Sequence, residues 1–225
     1  MAKTIKNKTT IAAIIFIFAC AAFALNAEAK VINERIYIVP AGDVDKKLLE
    51  SLKEALPGYM PTTVRLEIAP REPLPETAYD ASRKQYNADS ILKYIQKKVL
   101  LDIRIEVALV LVDVDLYSPG SDFVYGISDA PKAMSVMSLY RLRNEFYGNK
   151  PDNKLFLKRA TRQALYEIGN AWGLLQCPDQ KCVMNTSGGS LDPDKKKIVF
   201  CHECKNKIRA RSFGPLMQAA LPVLK

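Results

Sequence analysis

Tyr166-Glu167-Ile168-Gly169-Asn170-Ala171-Trp172-Gly173-Leu174-Leu175-Gln176-Cys177 closes a helical pattern that begins near Leu157. Leu157, Ala160, Ala164, Leu165, Ile168, Ala171 and Trp172 recur at three and four residues, which marks one buried helix face. Tyr166 and Asn170 are four apart and share a different face. Gly173 is the residue type that ends helices in the left-handed conformation. Glu167 reads as a polar helix residue with Gln163 as its neighbour four places earlier. Past Gly173 the chain is expected to be loop-rich and holds four cysteines.

Upstream, short apolar runs alternate with helical ones. Arg35 to Val39 reads as a strand closed by Pro40 and Gly42. Leu48, Leu49, Leu52 and Leu56 fall at helical spacing, with Asp43 as the candidate cap and Pro57-Gly58 as the stop. Thr63 to Ile68 alternates as a second strand, and the proline-rich residues 70–75 form a loop. A helix starting at Asn87 or Asp89 carries Ile91, Leu92 and Ile95 on one face. Ile103 to Leu116 is the strongest strand signal; its continuously apolar part, Val107 to Val112, fits a central strand covered on both sides. Asp122 to Ile127 and Met134 to Leu139 are shorter strand candidates. This order implies an α/β (α+β) fold with helices packed on a mixed sheet.

At 48% hydrophobic and 25% charged residues, the composition excludes a disordered or fibrous chain. The N-terminus stands apart. Lys3, Lys6 and Lys8 precede an uncharged apolar run from Ile11 to Leu25, followed by Ala27-Glu28-Ala29, the layout of a cleaved signal peptide over residues 1–29. The run is shorter than the roughly 20 residues of a membrane span, so a membrane attachment would require an uncleaved leader. Cys20 sits inside the apolar run, with Phe18 before it, which does not suit lipidation. Cleavage leaves one domain, residues 30–225, and removing three lysines and Glu28 lowers the net charge from +9 to +7. The basic residues are interleaved with acids and apolar residues, and export argues against nucleic acid as a partner. An exported, periplasmic or secreted protein is expected.

The quoted stretch resembles the archaemetzincin signature, H-E-x-x-H-x-x-G-x-x-H-C followed by C-x-M and C-x-x-C. Glu167 and Gly173 match its first half; Cys177, Cys182, Met184, Cys201 and Cys204 match the rest. Ala78-Tyr79-Asp80, Arg83-Lys84-Gln85-Tyr86, Asp113-Val114-Asp115-Leu116-Tyr117 and Phe123-Val124-Tyr125-Gly126 also look like stretches of that family. The resemblance covers nearly all of residues 30–225 and implies a metzincin-like, mostly parallel twisted sheet, with a loop-rich four-cysteine subdomain within 177–204. The leader departs from the family pattern.

A larger departure lies at the metal. Metzincins hold their catalytic zinc with two histidines at i and i+4 of one helix and a third beyond the glycine. The only histidine here is His202; the three ligand positions are Tyr166, Asn170 and Gln176. Neutral phenol and amide oxygens are weak zinc donors beside imidazole. Without the metal, water is not acidified and Glu167, the relic of the general base, has no activated nucleophile to serve. The expectation is a pseudoprotease with no catalytic zinc. The alternative is an active metallopeptidase whose degenerate site holds a metal partly through Glu167. The resemblance makes Met184 the Met-turn residue and Asp122 to Ser128 the edge strand that pairs with extended peptides, with Phe123, Val124, Tyr125 and Gly126 as the peptide-binding residues.

Cys177/Cys182 and Cys201/Cys204 are two pairs, and the resemblance implies one structural zinc held by all four. An oxidising compartment favours disulfides instead. Cys201-His202-Glu203-Cys204 also has the local layout of a C-x-x-C redox site. His202 is expected to be a surface residue rather than a ligand.

Overall fold

Continuous burial along the central strands decides how the layers stack. The computed structural model describes residues 34–99, 106–185 and 197–212, all within one unit, Asn33–Lys225. The leader at residues 1–29 and Cys20 lie outside the described residues, as do residues 103–105 of the long predicted strand.

Strands β1 (Glu34–Ala41), β2 (Val64–Ile68), β5 (Glu106–Val112), β7 (Gly126–Asp129) and β8 (Met134–Ser138) form a five-stranded sheet in the order β2-β1-β5-β8-β7. Every pairing is parallel except the last, where β7 runs antiparallel to β8. Strands β3 (Tyr79–Asp80), β4 (Gln85–Asn87) and β6 (Leu116–Tyr117) form a small second sheet. All of β5 is buried, and its residues divide by parity. Val107, Leu109 and Leu111 join helices α1 (Lys46–Ala55) and α3 (Asn153–Ala171); Ala108, Val110 and Val112 join helix α2 (Ala88–Gln96). The result is the expected mixed α/β sheet with helices on both faces.

Leu109 lies at the middle of β5 with no exposed surface. Leu109→Ala is expected to lower the unfolding free energy by about 3 kcal/mol, because the rigid three-layer core cannot close the void. Urea unfolding checks this as a lower midpoint at unchanged slope; a loss under about 1 kcal/mol would contradict a packed central strand.

Local chemistry corrects several boundaries. Asp45, not Asp43, caps α1, accepting the Leu48 N–H at 2.7 Å; Asp43 pairs with Arg71 instead. Asn87 caps α2 through the Ser90 N–H. The strand expected over Asp122 to Ile127 begins only at Gly126. The basic segment after the C-x-x-C pair is not loop but a fourth helix, α4 (His202–Ser212). Among the described residues no helix is long and apolar enough to cross a membrane.

Candidate functional site

Helix α3 starts at Asp152, whose carboxylate accepts the Leu155 N–H. It ends in a Schellman motif: Gly173 has φ 82°, the Gly173 N–H donates to Asn170 and the Leu174 N–H to Gly169. Glu167 lies in its last two turns and is 1% exposed, far more buried than a surface helix residue. Its Oε1 accepts from Gln163 Nε2 at 2.7 Å, and its Oε2 accepts from Ser128 Oγ at 2.8 Å. The Gln163 partner follows from helix spacing; Ser128 comes from β7, 39 residues away, and no local sequence signal marks it.

Gly126 makes this arrangement possible. A Cβ built there would lie 2.5 Å from Glu167 Oε1 and 2.5 Å from the Val136 carbonyl oxygen. Only a residue without a side chain lets the edge strand lie directly on the carboxylate. Of the four predicted peptide-binding residues, Gly126 alone is in the strand. Phe123, Val124 and Tyr125 precede it as irregular chain, because the Val124 N–H bonds Leu116 and draws the segment toward the small sheet.

β7 is the last strand of the sheet among the described residues. Tyr125 sits opposite Ser138 and accepts its N–H at 2.8 Å. Antiparallel alternation then turns the N–H and C=O of Gly126 and Ser128 away from β8, toward the open edge.

At the three metal-ligand positions of the signature, Tyr166 is half-buried and hydrogen-bonded to Asn170, while Gln176 is exposed in the turn after the helix. Burial pushes the Tyr166 phenol above its ordinary pKa, and the negative Glu167 adds to this against the Asn170 hydrogen bond. A phenol held protonated, two amides and an already hydrogen-bonded carboxylate do not fit a catalytic zinc centre, which takes three strong donors and one open position. Met184 is fully buried beneath the helix, and a Cβ at Gly169 would overlap its Sδ and stand 3.3 Å from Phe200. The Met-turn packing is therefore present beneath ligand positions that lack imidazole.

The four cysteines converge. Their Sγ atoms all lie within 4.8 Å of one another, with Cys177–Cys201 at 3.6 Å and Cys182–Cys204 at 3.7 Å. Four thiolates about 2.3 Å from one zinc ion stand about 3.8 Å apart, so the cluster fits a tetrahedral metal. The Cys177–Cys201 and Cys182–Cys204 separations are both well beyond the roughly 2.05 Å of a disulfide bond. Cys201 and Cys204 each have a sulfur of the other pair close by, so they do not form an isolated redox pair. Backbone N–H groups of Cys201 and Cys204 point at Cys182 and Cys201 sulfur, which suits thiolates. Burial raises the Cys182 and Cys204 thiols. Cys201 is lowered despite its burial, by the Cys204 N–H and the Cys177 thiol. His202 is exposed and bonds Asn206, outside the cluster.

A buried glutamate helix crossing beneath an antiparallel edge strand, ended by glycine and floored by a methionine turn, is the layout of a metzincin-type peptidase domain. The family model of peptidase family M54 matches residues 42–210. The archaemetzincin of Pyrococcus abyssi is 37% identical over 179 residues, covering 77% of this chain and 93% of that protein. The crystal structure of archaemetzincin from Archaeoglobus fulgidus, complexed with malonate, superposes with a TM-score of 0.63 at 32% identity, covering 77% of this chain and 99% of that one. A zinc-dependent peptidase from Methanocorpusculum labreanum gives 0.68 at 26% identity, covering 77% and 99%. The chain belongs to peptidase family M54, the archaemetzincins.

Proposed function

We propose that this chain is an exported M54 protein that captures extended peptides without cleaving them. In this reading the four cysteines hold one structural zinc, and the cleft holds no catalytic zinc. The observation that carries the proposal is the state of Glu167. The carboxylate at the general-base position is buried and accepts hydrogen bonds from Ser128 and Gln163, while Tyr166 and Asn170 bond each other. Polar groups satisfied in this way are held in place rather than left free to bind a metal or take a proton from water. The open edge of β7 supports peptide capture by strand addition, with main-chain hydrogen bonds supplying affinity. The basic, apolar and small-residue layout of residues 1–29 supports export.

Metal content and peptide hydrolysis, measured on the unaltered protein and on a variant with Tyr166→His, Asn170→His and Gln176→His together, test this. The unaltered protein is expected to carry one zinc and to leave peptides intact, with Glu167→Gln changing neither result. The triple variant is expected to carry a second zinc. Chelator-sensitive hydrolysis by the unaltered protein, abolished in Glu167→Gln, would replace capture with catalysis.

A further inference from the structure

Exposed large apolar side chains are scattered singly over most of the described surface, but three of them gather just beyond the start of β7. Tyr140, Phe146 and Tyr147 are 43%, 38% and 51% exposed. Phe146 packs edge-on against both tyrosines, with ring centroids 5.5 and 5.0 Å apart. Beneath them the Arg141 guanidinium lies between Phe146 and Phe123, 4.8 and 4.0 Å from the ring centroids. Phe123 stands edge-on to Tyr125, and the Tyr125 and Tyr147 hydroxyls meet at 3.1 Å. The rings thus form one continuous platform from the outer surface to the first residue before β7.

The platform is built rather than loose. Arg141 is held by both oxygens of Asp115 at 2.6 and 2.7 Å, and Arg143 by both oxygens of Asp113 at 2.9 and 2.6 Å. Arg159, buried on α3, donates to the Leu142 carbonyl and to Asn144. Gly148, at φ 74°, closes the turn that carries Phe146 and Tyr147. A surface fixed in advance loses little freedom on binding. The two arginines that stack on the rings are each paired with an aspartate.

We propose that this platform is a side-chain subsite of the β7 cleft and takes an uncharged aromatic side chain of the captured peptide. The proposal rests on strand addition at β7. A peptide adding antiparallel runs from the Asp129 end toward Gly126, so the residues that reach the platform lie on the C-terminal side of the residue paired with Gly126. Ring-on-ring packing there favours Phe, Tyr or Trp.

The test is fluorescence polarisation with a positional library of fluorescein-labelled decapeptides in an Ala/Thr/Val background, against the full-length protein. An aromatic residue at one or two C-terminal positions is expected to tighten binding about tenfold over alanine. Phe146→Ser and Tyr147→Ser are expected to remove that preference while background peptides still bind, and Tyr147→Phe, which keeps the ring, to retain it. Peptides bound with an aromatic preference unaffected by these variants, or with none, would overturn the subsite and leave strand addition standing. Binding of no peptide would defeat both. A dimer in sedimentation that falls apart in Phe146→Ser would assign the platform to a second copy of this chain and overturn the proposal.

Discussion

Cys182→Ser is expected to empty the four-sulfur site and lower the melting temperature by at least about 10 °C. Cys182 is fully buried at the centre of the cluster, with Cys204 sulfur at 3.7 Å and the Cys201 N–H directed at its own sulfur. A serine oxygen is shorter and harder, and three thiolates around an open position no longer make a closed structural site. The loss spreads because the cluster ties three segments together. The Cys177 N–H bonds the Met184 carbonyl, the Val183 N–H bonds Val199 at 2.7 Å, and Asn185 holds the Cys177 carbonyl. Met184, whose side chain fills the space left by Gly169, is held by the same segment, so the floor of the cleft loosens with the knot. Structural zinc contributes about 10–16 kcal/mol in isolated fingers; here Cys177, Cys182 and Cys204 pack into a core that the sheet and helices also hold together, so only part of that is at stake. Zinc content, thiol titration before and after chelation, and a thermal melt read the outcome. No free thiols after metal removal would mean that the cysteines staple the chain as disulfides, and an unchanged melt would mean that the cluster is not what holds this part of the chain.

What could be read from sequence alone divides by the range of the interactions concerned. The helix through Glu167, the parallel core strands and the glycine stop were legible because each is written in local spacing: a three-and-four stripe, an unbroken apolar run, one residue with φ 82°. The edge strand begins at Gly126, four residues later than its composition suggests. Phe123-Val124-Tyr125 has strand composition, but Arg141 and Tyr147 claim the two rings, and Leu116 claims the Val124 N–H. Helix α4 is not legible in the sequence because its apolar stripe is thin; Cys204 in the cluster and Ile208 in the core hold it down. The same limit applies within the site. That positions 166, 170 and 176 hold no histidine is visible in the bare sequence, as is Gln163 beside Glu167. Ser128 on Glu167 and Asp115 under Arg141 are joined across 39 and 26 residues, and only folding brings them together.

Gly126→Ala is expected to cost about 3 kcal/mol and to abolish peptide capture together. The added methyl would meet two atoms at once. The Val136 carbonyl belongs to β8, an interior strand bonded to β5 on its other side, and cannot yield. Glu167 is buried, and turning it away would break its bonds to Gln163 and Ser128 in the core, where a carboxylate is costly to disturb. The strand itself must therefore lift, which detaches Ser128 from Glu167 and misaligns the outward N–H and C=O groups that a peptide would use. Two companions separate these causes. Ser128→Ala removes the hydroxyl without adding bulk and is expected to cost about 2 kcal/mol, with the edge still in place. Glu167→Gln keeps the shape of the side chain, so combining it with Gly126→Ala should relieve little of the strain. Urea unfolding gives the stabilities, and hydrogen exchange at the Ile127 N–H, which pairs with Val136, reports whether β7 has come away. A Gly126→Ala protein with stability within about 1 kcal/mol of the parent and a protected Ile127 would show that the strand can rest on Glu167 with a side chain between them. The contact between carboxylate and edge would then not be what shapes the cleft.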